Sequence, residues 1–102
     1  MARLDTIARV IRSKNAGPFC LTLDVLFGDA AAYQRVVKAE AITREKMAAL
    51  YKQPLGNVQV FHHPVALAMK VSIVRAAPAG SLADSDLYGA QQHVLLYPLE
   101  IP

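Results

Sequence analysis

Apolar positions recur along this chain with two different periods, and the switches between them outline its elements. Leu4, Ile7, Ala8 and Ile11 fall at helical spacing, with Arg3, Arg9 and Arg12 elsewhere around the wheel, so the spacing predicts a first helix from about Leu4 to Ser13. Gly17 and Pro18 must end it, because glycine frees the backbone and proline restricts the residue before it. The almost unbroken apolar run from Phe19 to Phe27 predicts a strand covered on at least one face. Asp29 stands where it can cap a second helix with Tyr33, Val36 and Val37 on one stripe. Thr43 can cap a third helix, with Met47, Leu50 and Tyr51 facing inward. From Asn57 the period becomes two. Val58 and Val60, then Val65, Leu67, Met69, Val71 and Ile73, alternate with smaller or polar residues, which predicts two strands meeting near His63–Pro64. Residues 76–92 show little periodicity and read as a long connection, of a length that compact domains seldom carry without a function. The closing "HVLLYPLEIP" is expected to be a last strand. The order predicts an α+β two-layer sandwich, with helices packed on one face of an antiparallel or mixed sheet.

At 102 residues the chain is expected to form a single domain over 1–102. A composition of 54% hydrophobic and 19% charged residues excludes a disordered chain, which needs the reverse balance. The formal charge is +3, and every cation except Lys70 and Arg75 lies between Arg3 and Lys52. Arg9, Arg12, Arg35, Lys38, Arg44 and Lys46 are expected on helical stretches beside acids, as solvated faces, so no nucleic-acid partner is expected. Cys20 is the single cysteine, which rules out a disulfide within the chain and suggests a reducing compartment; a buried strand thiol is expected. No apolar segment approaches the length of a membrane span, and "MARLDTIARVIRSK" lacks the apolar stretch of a signal peptide. A cytoplasmic protein without a membrane partner is expected.

Candidate chemistry concentrates in two blocks. In "RSKNAGPF", Arg12 and Lys14 could hold an anion while Ser13, Asn15 and free backbone N–H groups complete a cradle. The same residue types also suit a helix C-terminus, where cations favour the dipole and Asn15 tolerates left-handed geometry. Asp24 interrupts an apolar strand. It is either solvated, an edge charge that discourages aggregation, or a carboxylate paired with Arg12, Lys14 or Arg75. The second block gathers Asp84, Ser85, Asp86, Tyr88, Gln91, Gln92 and His93 in a short stretch of the long connection, more polar chemistry than a turn requires. His62 and His63 are adjacent on a strand and point to opposite faces, so they do not share an ion, and no metal site is expected. Neither a phosphate loop nor a nucleophile elbow is present, and no cofactor is expected.

"RSKNAGPF", the following "LTLDVLF", "TREKMAALY" and the closing "DSDLYGAQQHVLLYPLEIP" together resemble a family of small uncharacterised bacterial proteins that accompany the acyclic terpene utilisation protein AtuA. That family is related to the small ferredoxin-like domain of AtuA-like proteins. The resemblance covers nearly the whole chain, with "FHHPVALAMKVSIVR" richer in alanine and histidine than the family pattern. It implies a ferredoxin-like fold and association with an AtuA-like larger subunit. It further implies a place in the catabolism of branched carboxylic acids or acyl-CoA thioesters, with hydratase or lyase chemistry. The motif positions it marks are Arg12, Ser13, Lys14, Asn15, Asp24, Arg75 and the block from Asp84 to His93. A small accessory subunit is therefore the leading expectation. The alternatives are a stand-alone small enzyme, or a ligand-binding module for small carboxylates or an acyl-CoA, in either case open to homo-oligomers. Lys14, Asp86 and His93 would then be the catalytic groups, with Arg12, Ser13, Asn15, Asp24, Arg75, Tyr88, Gln91 and Gln92 binding substrate. Fold analogy alone does not separate these classes.

Overall fold

The computed structural model describes residues 2–15, 20–74 and 95–102. Alternating side chains and β-branched residues place four strands in one antiparallel sheet. They are β2 (Val10–Asn15), β3 (Cys20–Leu26), β4 (Val58–His63) and β5 (Ala68–Val74), in the order β2-β3-β5-β4. A separate two-stranded ribbon pairs β1 (Ala2–Arg3) with β6 (Glu100–Ile101). Three helices complete the described fold: α1 (Leu4–Ile7), α2 (Ala30–Lys38) and α3 (Arg44–Leu50). A single 3₁₀ turn, Leu55–Asn57, leads into β4.

Helices α2 and α3 lie where their stripes and caps predict. The Asp29 carboxylate accepts from the Ala32 amide at 2.8 Å, and the Thr43 hydroxyl accepts from the Lys46 amide at 3.2 Å, so each satisfies an amide that the first turn leaves without a helical partner. They bury Tyr33 and Val36 from α2, and Met47 and Ala48 from α3, in one core with the sheet. Phe27, just past β3, meets the Tyr33 ring edge-on at 5.9 Å between centroids.

Register sorts the sheet into two faces. Leu21, Ile73 and Val58 form one cross-strand row; Ser13, Leu23, Val71 and Val60 form the next; Ile11, Val25, Met69 and His62 form the third. These rows meet the helices, and Leu23, Val25, Val71 and Val58 are wholly buried. The architecture is an α+β two-layer sandwich with the helices on one face of the sheet. β3 and β4 run parallel, connected through α2 and α3, with antiparallel β5 between them. This is the split β–α–β half of a ferredoxin-like arrangement, and β2 takes the outer place beside β3.

Three segments depart from the periodic reading. The first helix stops at Ile7, and Val10–Asn15 is a strand. Leu4, Ile7 and Ile11 satisfy a helical period, but Val10, Ile11, Arg12 and Ser13 satisfy a strand equally well, and pairing with β3 along its full length decides the competition. Val65 is not a strand residue. It is fully exposed in the turn between β4 and β5, which the Ala66 amide closes onto the His63 carbonyl at 3.1 Å. Of the closing "HVLLYPLEIP", the described residues from Leu95 on form no strand of the main sheet either. Only Glu100–Ile101 pairs, while Leu96 accepts from the Leu99 amide in a turn around Pro98, whose nitrogen has no proton to give.

Candidate functional site

The strand at Val10–Asn15 changes what "RSKN" can do. In a helix C-terminus its side chains would fan around one end; in a strand successive residues point to opposite sides. Arg12 and Lys14 therefore project from the face away from the helices, while Ser13 faces the core and is buried. Ser13 does not join Arg12 and Lys14 in a common cradle. Asn15 closes β2 opposite Leu21. Arg9, just before β2, and Arg12 likewise leave the helical faces on which their spacing placed them.

The face away from the helices is built from three rows. Lys14, Thr22, Ser72 and Gln59 stand side by side across the four strands. Arg12, Asp24, Lys70 and Phe61 form the next row, and Val10, Leu26, Ala68 and His63 the third. Cys20 and Val74 extend the face at one end. Asp24 lies on β3, an inner strand flanked by β2 and β5, so it is not an edge charge. Its carboxylate accepts from Arg12 Nε at 3.3 Å, and its side chain retains 17% exposure against 64% for Arg12. The pair weighed for Asp24 thus forms with Arg12; Lys14 stands one row away. Lys70 flanks Asp24 on the other side, and neither Lys70 nor Lys14 makes an ion pair with a described residue. With Asp24 spent on Arg12, no described residue compensates the Lys14 and Lys70 ammonium groups of this face.

The polar rows are framed by apolar side chains. Phe61 is 43% exposed, Val74 50% and Val10 39%, and all three belong to this face. The Thr22 hydroxyl donates to the Lys14 carbonyl at 3.3 Å, and Cys20 Sγ lies 3.6 Å from Ser72 Oγ. Cys20 is a free, half-buried thiol rather than a core one.

A family model for a domain of unknown function, DUF4387, matches residues 4–100, almost the full length of the fold just described. The chain belongs to this family. It shows no significant similarity to a curated protein or to a solved structure.

Of the candidate residues in this DUF4387 domain, Arg12, Lys14 and Asp24 share the open sheet face. Arg75, Asp86, Tyr88, Gln91, Gln92 and His93 lie outside the described residues, as does the rest of the block from Asp84. Lys70, Phe61, Thr22 and Ser72 belong to the same face and were missed as candidates. The alternation of Val58 and Val60, and of Met69, Val71 and Ile73, carried the signal, because the residues between inward-facing ones must face outward. Among the described residues, no three His, Cys, Asp or Glu side chains gather as a metal site would require, and no helix is long and apolar enough to cross a membrane. Burial pushes the Tyr51 phenol well above its ordinary range, so it stays neutral at physiological pH and is no base there.

The Arg12–Asp24 pair is expected to contribute little to stability. Its single contact is 3.3 Å long, and Arg12 is mostly in water. A double-mutant cycle of Arg12→Ala and Asp24→Ala, read by urea unfolding, should give a coupling of about 0.2–1 kcal/mol. A coupling several times larger would mean that the pair is a structural element of the sheet rather than a surface feature.

Proposed function

We propose that this DUF4387 chain is the small accessory subunit of an AtuA-like catabolic enzyme. In this reading the assembled complex performs hydratase- or lyase-type chemistry on branched carboxylic acids or acyl-CoA thioesters. The supporting observation is the open sheet layer. Four strands are covered by helices on one side, and the other side carries a mixture of exposed apolar groups and cations that no described residue neutralises. Sites for small molecules are concave and enclose most of their ligand, whereas a sheet layer is broad and shallow. Exposed apolar side chains interleaved with polar ones suit a protein surface better than a substrate pocket. Lys14 stands on this layer with Thr22 beside it, and among the described residues its row holds no carboxylate or imidazole of the kind that general acid–base catalysis uses. The family resemblance supplies the partner's identity.

Native mass spectrometry of the chain, purified under mild conditions from its own host, tests this reading. A stoichiometric complex with an AtuA-like larger chain is expected, and turnover should then be sought in the complex. A lone monomer or homo-oligomer would remove the subunit reading, and small carboxylates and acyl-CoA should then be screened against this chain directly.

A further inference from the structure

Taking the subunit reading as its premise, we propose that the docking surface is the open sheet face and that the partner meets it with an acidic, partly apolar patch whose carboxylates pair with Lys14 and Lys70. The charges on the face choose the partner. Arg12, Lys14 and Lys70 supply three cations and Asp24 one anion, which leaves an excess of positive charge on a layer with Phe61, Val74 and Val10 around it. Arg12 is already neutralised by Asp24, so Lys14 and Lys70 are the groups that desolvate on docking and need an external counter-charge. They stand on β2 and β5 with β3 between them, and the partly or fully buried hydroxyls of Thr22 and Ser72 lie on the intervening ground. A partner therefore has two separated positions to satisfy rather than one.

A second copy of this chain fits poorly. Two such faces brought together would oppose lysine to lysine, with Asp24, the one carboxylate among the described residues of the face, already committed. Nucleic acid fits poorly too, since Phe61 is the one phenyl or phenol ring among the described residues of the face and Asp24 stands at its centre against a phosphate track. The helix layer offers no comparable combination: among the described residues, the largest exposed apolar groups outside the sheet face are Leu55, Val65 and Leu95, in turns.

The test measures association of the full-length chain with the AtuA-like large chain of the same host by titration at low and moderate salt. The double variant Lys14→Glu/Lys70→Glu is expected to weaken binding by about a hundredfold, because like charges would then face each other across the interface. The charge-matched variant Lys38→Glu/Lys52→Glu, on the helix side, should leave it unchanged. Asp24→Asn releases Arg12 and should tighten binding. Unaltered circular dichroism and melting temperature identify the variants as folded, and Lys70→Gln provides a milder substitution if the double variant does not fold. Equal binding by the sheet-face and helix-side variants would overturn the inference while leaving the subunit reading intact. Weaker binding by Asp24→Asn would also overturn it, since the carboxylate would then be meeting a cation. Self-association of the chain through this face would replace the acidic partner with a second copy. A wild-type chain that does not bind the large chain at all removes the reading and the inference together.

Discussion

Replacing Leu23 with alanine will destabilise the chain by about 2–5 kcal/mol, the range for a large aliphatic side chain deleted from a packed core. Leu23 is wholly buried, lies on the inner strand β3, and has Ser13 and Val71 as its flanking partners in the sheet. Strand neighbours on both sides are held by backbone pairing, and the helix layer closes over the row, so the cavity cannot collapse by moving one flexible element. Against a typical total stability of about 5–15 kcal/mol, that loss removes a large fraction of the folding free energy. Urea unfolding should show a lower midpoint with an unchanged slope. Phe61→Ala, on the opposite face and 43% exposed, should change stability by no more than about 0.5 kcal/mol. If Leu23→Ala and Phe61→Ala cost the same, the assignment of core and open faces would be reversed or meaningless. Because a one-residue slip exchanges the faces, this pair of variants also tests the register on which the docking surface depends.

What the sequence discloses about this fold depends on how local each determinant is. Helices α2 and α3 are legible because their caps are chemical and local: a carboxylate or hydroxyl three residues ahead of an amide, followed by an apolar stripe. The β4–β5 pair is legible for a similar reason, with a strict period of two on either side of Pro64. Residues 4–15 are ambiguous because two periods overlap there. Nothing local distinguishes a ten-residue amphipathic helix from one helical turn followed by a strand; the deciding interaction is with β3, which follows Gly17 and Pro18 in the sequence. The two-residue β6 is invisible to periodicity for the opposite reason, since it is too short to have a period and is held by the distant β1.

The candidate site inherits that ambiguity. Once "RSKN" is assigned to a helix end, Arg12, Ser13 and Lys14 appear as neighbours of one cradle; once it is a strand, alternation separates Ser13 from the two cations. Asp24 stands out in the sequence as a charge within an apolar strand, yet nothing local chooses its partner among Arg12, Lys14 and Arg75. The pairing of Arg12 opposite Asp24 supplies the choice. Lys70 and Phe61 required the further step of asking which residues alternate away from the core, and that question matters only when an uncovered layer is known to exist.

Ile101→Ala is expected to cost about 2–5 kcal/mol as well, but in a different way. Ile101 is wholly buried although β6 has only two residues, so burial of this side chain holds the ribbon rather than the pairing itself. Around it, the Leu4 amide donates to the Leu99 carbonyl at 2.7 Å, the Asp5 amide to the Tyr97 carbonyl at 3.3 Å, and Arg35 Nε to the Pro102 oxygen at 3.0 Å. These bonds tie residues 2–5 and α2 to residues 97–102. Removing its side chain should open this clasp before the sheet unfolds, because few contacts beyond it hold so short a strand. Amide exchange at Leu4 and Asp5 should accelerate to a rate set by local opening, while amides of β3 and β5 keep the protection of global unfolding. Leu23→Ala should instead lower protection everywhere together. Uniform loss of protection in Ile101→Ala would show that the clasp and the sheet form one cooperative unit. Since the clasp joins the helix layer through Arg35 and none of its described residues stands in the rows of the open face, folded Ile101→Ala protein should bind the AtuA-like chain as wild type does, which separates a loss of stability from a loss of docking.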